Sequence, residues 1–389
     1  MQRVKSQRRA LVCACAIGFA FSANYTNHAP LAGMLMRQFG FSQALAGLLT
    51  TGIFITHASM QVPGGYLVDR LGARRVLAFA LAWVVAGNVA IAFSSAYWHL
   101  LAWKILVGVG TGTCFVAGAR YIHDALAGPR LSFAQGLYGG SILLGSGFVI
   151  FAVPRVSVWS GWRGAFLVSA VVATGAWILW MAGAPAAPQG LQARGRFRSL
   201  LATPQLWLLG LMQMASFGLA IVVGAWIVAL LGSAFQMPAP AAGLVGSVVL
   251  LLGIVTRPVG GVLRRHVNIR LLLSASFLMN ALGCFALASA SHYLPLAAVA
   301  IFFIGTGCGL PYAALFTRAG ALVPGRAGAA MGLVNMLGIV MILVGAPLVG
   351  RLADWSGSFR SGLLALGGFS LIAMAAASLI ARDEPAPAL

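Results

Sequence analysis

Four polar side chains stand close together in an apolar stretch near the start of the chain. They are Asn24, Tyr25, Asn27 and His28, and Asn24 and His28 lie at positions i and i+4, on one face of a predicted helix. An unpaired polar group in hydrocarbon costs several kcal/mol, so this cluster predicts a surface that binds a solute. The alternative is that these side chains form hydrogen bonds between neighbouring helices and do not contact a solute.

Two ionisable side chains, His57 and Arg257, also lie within apolar stretches. A guanidinium has five N–H donors and a permanent charge, which suits it to binding an anion. A shallow arginine that reaches water at the membrane surface is the alternative for Arg257. Because an ionisable group inside a membrane is a functional candidate by default, we predict that both positions contact the solute.

The acidic residues are few, and all lie in predicted loops or at chain ends. There are five of them: Asp69, Asp124, Asp354, Asp383 and Glu384. The predicted spans therefore contain no carboxylate, which favours an anionic, zwitterionic or neutral solute over a cation. A proton that moves with the solute must then be carried by His28, His57 or Lys104, of which histidine titrates nearest to neutral pH.

The composition indicates which elements position these groups. The chain is 60% apolar and 8% charged, whereas a soluble domain has about 25% charged residues. Uncharged runs recur at the ~20 residues of a spanning helix, and the alternating pattern of membrane barrel strands is absent. We therefore predict an all-α membrane protein with twelve transmembrane helices, over residues 10–33, 43–66, 75–95, 99–121, 131–154, 163–183, 204–231, 239–262, 269–290, 293–316, 326–350 and 361–381.

Sequence landmarks recur at one spacing along the chain. Gly64-Gly65 returns as Gly260-Gly261, and Trp159-Ser160-Gly161 returns as Trp355-Ser356-Gly357. This duplication predicts two pseudo-symmetric six-helix bundles with a solute path between them. The predicted boundaries are an N-terminal bundle over 1–185, a cytoplasmic linker over 186–203 that is rich in Pro, Ala, Gly and Arg, and a C-terminal bundle over 204–389.

The net charge of +20 has a topological explanation. Most of the 25 basic residues fall on one predicted side of the membrane, which orients both termini and the linker towards the cytoplasm. We expect a multi-pass protein of a bacterial inner membrane, in contact with lipid, monomeric and without a nucleic-acid partner. The first apolar stretch is read as a helix, with a cleaved signal peptide as the alternative. No metal-ligand or nucleophile–base spacing occurs, so we expect neither an enzyme nor a cofactor.

The segment after the second span carries a recognisable motif. Gly65-Tyr66-Leu67-Val68-Asp69-Arg70-Leu71-Gly72-Ala73-Arg74-Arg75 resembles the loop signature G-x-L-x-D-R-x-G-R-K/R of the major facilitator superfamily. The resemblance extends over the whole chain and implies that Asp69 caps the start of the eleventh helix when the cytoplasmic side is shut. A basic loop with a helix-ending aspartate is the alternative. The implied conformational gate comprises Gly65, Asp69, Arg70, Gly72, Arg74 and Asp124.

The same resemblance extends to the helices that line the cavity. Lys104 begins a segment similar to the fourth-helix motif R-x-x-x-G-x-G, with lysine in place of arginine. Its alternative role is that of an interfacial lysine near the outer end of the helix. Since the first, fourth, seventh and tenth helices line the cavity in this family, polar groups there are candidates, including Gln213 and Ser216, which are three residues apart on the predicted seventh helix. The predicted substrate-binding set is Asn24, Tyr25, His28, His57, Gln213, Arg257, Tyr312 and Asn335.

A second resemblance concerns the solute. Arg257-Pro258-Val259-Gly260-Gly261 is similar to the R-P-x-G-G segment of nitrate/nitrite porters, whose arginine grips the anion, and Asn335 lies in a segment similar to their eleventh helix. At the repeat position the second helix has Gln61 and no arginine. The expected function is secondary transport of a small anionic or zwitterionic metabolite by alternating access. The alternatives are proton-coupled efflux of hydrophobic compounds and a membrane sensor that transports nothing.

Overall fold

The computed structural model describes residues 2–125, 131–185, 201–264, 266–323 and 327–380, and all the regular structure in these ranges is helical. The part before the linker contains α1 Gln2–Thr26, α2 Ala32–Phe39, α3 Gln43–Ser59, α4 Gln61–Leu71, α5 Ala73–Ala92, α6 Tyr97–Ala125 and α7 Leu131–Gly183. The part after it contains α8 Pro204–Gln213, α9 Leu219–Phe235, α10 Ala239–Leu251, α11 Gly253–Leu263, α12 Ile269–Ser289, α13 Leu294–Gly309, α14 Pro311–Leu322, α15 Ala327–Ser356 and α16 Arg360–Ala377. Most of the predicted linker, residues 186–200, lies outside the described ranges.

The first predicted helix is broken, which corrects the continuous span expected over 10–33. Helix α1 ends at Thr26, a 3₁₀ turn covers Ala29–Leu31, and α2 begins at Ala32. Pro30 has no N–H to continue an α-helical ladder, so it favours the tighter turn. His28 therefore lies beyond the end of α1, and the prediction that Asn24 and His28 share one face of a continuous helix was wrong.

Proline also accounts for two of the breaks in later spans. The ring of Pro63 would collide with the carbonyl of Ser59, four residues earlier, and α3 ends at that residue. Pro311 opens α14 directly after the break that follows α13. The seventh predicted span is interrupted differently, by a π turn at Met214–Gly218 between α8 and α9.

The repeated Trp-Ser-Gly landmark forms a similar glycine turn in both places. Gly161 has φ +64° and is the non-helical residue within α7, so it divides this 53-residue run into two helices. Gly357, just after α15, has φ +69°. Glycine enters this left-handed region at little cost, which explains why both copies carry it.

The described helices are long enough and apolar enough for a multi-pass membrane protein. Ten stretches have the length and hydropathy needed to cross a membrane. One of them, Leu137–Gly183, has 47 residues, about twice the length that a single crossing needs. The pieces α3 and α4, with 17 and 11 residues, are each shorter than one crossing.

The buried apolar residues form two separate cores. We call the end of the molecule that carries Gln43 and Asp354 the outer end, and the opposite end the inner end, following the predicted orientation. The larger core joins the helices before the linker to α9, α10 and α13 and to the outer parts of α12, α15 and α16. The smaller core, which includes Leu206, Phe277 and Leu333, lies entirely among inner parts of the later helices.

Close approach of α1 and α7 depends on glycine. A Cβ added at Gly145 would overlap the carbonyl oxygen of Phe19 and the hydroxyl of Ser22 on α1, whereas a Cβ at Gly140 would meet no atom within 4 Å. The Ser22 hydroxyl donates to the Ile142 carbonyl at 2.7 Å, so the two helices cannot move apart without losing this bond.

We therefore expect opposite effects from two alanine substitutions on the same helix. Gly145→Ala should lower the free energy of unfolding by about 2 kcal/mol because it overpacks the contact. Gly140→Ala should leave it unchanged or raise it by up to ~1 kcal/mol through helix propensity. Thermal melting of the purified proteins in one detergent measures both, and equal melting temperatures for the two variants would contradict the packing argument.

Candidate functional site

A buried guanidinium marks the centre of the molecule. Arg257 in α11 is 7% exposed, and its Nη1 donates to the Gly139 carbonyl of α7 at 3.1 Å. The guanidinium carbon lies 3.9 Å from the ring centroid of Tyr312, and Nε has no hydrogen-bond partner. Among the described residues, none of its contacts is a carboxylate. This geometry does not fit the alternative of a shallow arginine that reaches water.

A small cavity of about 10 Å³ adjoins this guanidinium, with room for about one water molecule. Its walls include Ser216, Phe217, Arg257, Cys308 and Gly309. The site is therefore collapsed around its charged group, and a larger solute must part the surrounding helices to enter. A desolvated cation with an unused N–H donor is suited to bind an anion.

Glycine at position 139 allows the arginine to reach the main chain of α7. A Cβ there would lie 3.0 Å from the Tyr312 hydroxyl and 3.5 Å from Arg257 Nη1. Gly139 does not stand out in the sequence, because the fifth predicted helix is rich in glycines that serve packing. Its position opposite Arg257 emerges only when α7 and α11 are brought together.

The π turn separates two polar side chains of the seventh predicted span, those of Gln213 and Ser216. The Ser216 hydroxyl donates to the Cys308 carbonyl at 2.6 Å, on the side of the cavity. Gln213 lies against α15 instead, where a Cβ on Gly338 would approach its Cγ within 2.6 Å. Neither polar atom of the buried Gln213 amide has a partner. The two side chains lie on different sides of the span because a π turn advances less than 100° per residue.

Asn280 stabilises this turn and was missed by sequence reasoning. Its Nδ2 donates to the carbonyl of Ala215, within the π turn, at 2.9 Å, and Cys308 Sγ lies 3.5 Å from its Oδ1. Asparagine inside an apolar span was the available signal. Asn335 in α15 is buried, on the same helix as the glycine that contacts Gln213.

The polar cluster of the first helix bonds to neighbouring helices. Asn24 Nδ2 donates to the carbonyl of Ala20 at 2.7 Å and to that of Ser169 in α7 at 3.4 Å. The Tyr25 hydroxyl accepts from Ser146 at 3.3 Å. These contacts match the helix-bonding alternative better than a role in an open cavity.

His28 and His57 are both buried against threonines. His28 Nε2 lies 2.9 Å from the hydroxyl of Thr50, while its Nδ1 has no partner. His57 Nδ1 lies 3.0 Å from the hydroxyl of Thr111. The ring of His57 is surrounded by four aromatic rings with centroids 5.5–6.3 Å away, those of Phe21, Tyr25, Phe54 and Phe115. Neither histidine lines the cavity beside Arg257.

Lys104 is the centre of a second buried polar network. The side chain is 1% exposed, and its Nζ donates to Asn27 Oδ1 at 2.5 Å and to the Asn24 carbonyl at 3.1 Å. Asn27 Nδ2 in turn donates to Asn88 Oδ1 at 2.8 Å. The ammonium is thus held by neutral oxygens at the break in the first helix, which does not fit an interfacial lysine. Sequence reasoning overlooked Asn88, although it also lies within an apolar span.

The predicted gate is described only in part. The burial of Gly65 and the side chains of Asp69 and Asp124 lie outside the described structure. Arg74 Nη2 donates to the Met181 carbonyl at 3.2 Å, and Trp180 Nε1 donates to the Arg74 carbonyl at 3.0 Å.

The turn between α4 and α5 depends on Gly72, which has φ +80°. Arg70, in the last turn of α4, is exposed.

The site has no described metal centre and no disulfide. Within the described ranges no three His, Cys, Asp or Glu side chains lie together as a metal site would require. Four of the five cysteines are buried, Cys15 is half-buried, and all five are free thiols.

Comparison with known proteins places this geometry in context. The chain matches the family described as Major Facilitator Superfamily over residues 14–338 and 206–389. It is 24% identical over 366 residues to a probable nitrate/nitrite antiporter, NarK1, of Thermus thermophilus, covering 83% of this chain and 80% of that one. It is 26% identical over 384 residues to the 2-nitroimidazole transporter of Escherichia coli, covering 95% and 94%.

A further relative and a solved structure extend the comparison. A probable sulfoacetate transporter, SauU, of Cupriavidus necator is 27% identical over 179 residues, which are 46% of this chain and 41% of that relative. The crystal structure of a bacterial homolog to the human lysosomal transporter Spinster, inward-facing and unoccupied, matches with a TM-score of 0.79 at 17% identity, over 96% of each chain. This likeness establishes a shared fold.

Proposed function

Because the chain belongs to the Major Facilitator Superfamily, and is therefore a multi-pass secondary transporter and not an enzyme, we propose that it carries a small anionic or zwitterionic metabolite by alternating access. The observation that carries this proposal is Arg257, a buried guanidinium without a carboxylate among its described contacts and with an unpartnered Nε beside the cavity. A buried charge is costly unless it is paired, so an anionic ligand would complete this site.

Tyr312, Gln213 and Asn335 complete the proposed substrate contacts around Arg257. The Tyr312 ring already lies against the guanidinium, and the Gln213 amide is buried without a partner. Rotation of that amide towards the cavity would add a donor and an acceptor for a polar solute. The relatives whose names include nitrate and sulfoacetate support an anionic substrate class.

The proposed architecture has twelve spans in two halves, over 1–185 and 204–389, joined by the linker at 186–203. Pairing α3 with α4 supplies one span, and division of the long helical run at Gly161 supplies another. The repeated glycine turn at Gly161 and Gly357 supports a relation between the halves. We place both termini on the cytoplasmic side of a bacterial inner membrane, on the distribution of basic residues, and we propose that the protein is a monomer.

The substrate class can be tested by ligand-induced stabilisation of the purified full-length protein. A ligand at 100 times its Kd stabilises the folded state by about 2.7 kcal/mol. We expect a rise in melting temperature with at least one of nitrate, sulfoacetate, small carboxylates and zwitterionic amino acids. Matched concentrations of chloride and of uncharged solutes serve as controls. Stabilisation by uncharged compounds alone would reject the anion proposal.

Efflux of a neutral or hydrophobic compound is the second candidate. It is favoured by the 2-nitroimidazole transporter, which aligns with 95% of this chain. Growth of cells that express the protein, on a panel of toxic compounds, would distinguish the two candidates. Increased resistance to uncharged compounds without any anion uptake supports efflux.

We further propose that Lys104 carries the coupling proton. The Lys104 ammonium holds the broken segment of the first helix to α6 through Asn27 and the Asn24 carbonyl. Loss of its proton would remove the positive charge and one of its three N–H donors, which would weaken these two charge-assisted hydrogen bonds. His28, bonded to Thr50, is the other ionisable side chain at this break, and His57 lies apart, against Thr111.

A further inference from the structure

Asp354 joins two helices at the outer end of the molecule. Its Oδ1 accepts from the Gln43 N–H at 3.1 Å, and its Oδ2 accepts from the Ala44 N–H at 2.9 Å. Asp354 lies in the last turns of α15, while Gln43 and Ala44 are the first residues of α3. The first N–H groups of a helix have no partner inside the helix and carry a partial positive charge, so a carboxylate satisfies both needs.

Below this contact α3 and α15 touch closely. The hydroxyl of Thr51 donates to the Leu343 carbonyl at 2.8 Å. A Cβ on Gly47 would lie 2.6 Å from Pro347 Cα, and one on Gly350 would lie 2.6 Å from the Gln43 carbonyl oxygen. These contacts form an outer seam, which we define as α3 from Gln43 to Thr51 against α15 from Leu343 to Asp354.

The two apolar cores indicate that this seam closes one side of the molecule. At the outer level a single core runs from the helices before the linker into those after it. At the inner level the helices after the linker keep a core of their own. Helix α4, which continues α3 towards the inner end, packs mainly against α6. The two halves are therefore joined chiefly at the outer end.

We propose that Asp354 is an outer latch, which holds the transporter shut on its outer side and must release the start of α3 before that side opens. Asp354 is exposed, so water can replace Gln43 and Ala44 as donors when the seam parts, and a latch in that position is reversible. The inference rests on the proposed alternating access. It also parallels the role that the family resemblance implies for Asp69, since each aspartate lies in the last turn of its own helix, Asp354 in α15 and Asp69 in α4.

The latch can be tested by labelling a cysteine placed behind it. Thr51→Cys puts a thiol about 12 Å inward of the start of α3, and a membrane-impermeant maleimide reports its access. Labelling is followed in intact cells and in inverted vesicles in parallel, so that each face of the membrane is sampled. The protein without Thr51→Cys gives the background from the five native thiols.

We expect Asp354→Ala, combined with Thr51→Cys, to label on the order of five-fold faster from one face only, because the closed population is reduced. Asp354→Asn should give a smaller increase, since its amide keeps one acceptor. Arg360→Ala, which removes an exposed charge at the same end, serves as the matched control and should label at the parent rate. If Asp354→Ala does not fold, Asp354→Asn decides the result.

An unchanged labelling rate in a folded Asp354 variant would overturn the latch. The measurement needs no substrate, so it separates the latch from the substrate proposal. Faster labelling in a protein that moves no anion would support the latch while the substrate class failed. Anion transport with unchanged labelling would leave the substrate class standing and remove the latch.

Discussion

Arg257→Ala is expected to reduce uptake of the transported anion by at least ~25-fold, because removing one member of a buried charge pair costs about 2–5 kcal/mol and 1.4 kcal/mol is a factor of ten. The variant should also lose the ligand-induced rise in melting temperature. Arg257→Lys should recover only part of the uptake, because an ammonium cannot form the planar two-bond contact of a guanidinium. Uptake into proteoliposomes at a fixed protein density measures all three proteins.

The matched control for this experiment is Arg360→Ala. It removes the same charge from an exposed position at the start of α16, and its uptake should stay within about two-fold of the parent. If Arg257→Ala folds and still takes up the anion at half the parent rate, the guanidinium is not the anion site. The buried arginine would then serve to join α11 to α7 through the Gly139 carbonyl.

Lys104→Gln is expected to abolish accumulation of substrate against its gradient while exchange down a gradient continues. Glutamine can keep hydrogen bonds at this position but carries no titratable proton. Lys104→Arg should also fail to accumulate substrate, because an arginine does not release its proton. The two variants thus fail for opposite reasons, one permanently neutral and the other permanently charged.

Two assays distinguish proton coupling from substrate exchange in the Lys104 variants. Uptake driven by an imposed pH gradient reports coupling, and counterflow at equal pH on both sides reports exchange alone. Arg37→Gln, which removes an exposed cation from α2, should leave both unchanged. Full accumulation by Lys104→Gln would show that the proton travels elsewhere or that no proton is coupled.

The membrane class and the family were predictable from the chain because both depend on averaged properties. Runs without charge identify spans whatever their neighbours are, and the loop motif around Asp69 and Arg70 is contiguous in the sequence. The family match confirms that prediction. The repeated Trp-Ser-Gly landmark was used only to infer duplication, and in both copies its glycine has a positive φ.

Predictions of which side chains share one face of a helix, or of how deeply a side chain is buried, were less successful. Asn24 and His28 share a face only if the helix continues past Thr26, and Pro30 prevents this. The alternative of an interfacial role for Lys104 arose because its depth was read from sequence position alone. Its burial depends on Asn27 and Asn88, which lie far apart in sequence and meet only when three helices pack. Such contacts leave no local pattern in a single chain.

The π turn at Met214–Gly218 has a consequence for how the seventh span can move. A π turn holds a surplus residue relative to an α-helix, and one residue corresponds to about 100° of helical rotation. If the turn relaxed into an α-helix, α8 would spin about its own axis while α9 stayed in place. The Gln213 amide, which has no hydrogen-bond partner, would rotate with α8. This span can therefore reorient a polar group without a bend in the helix.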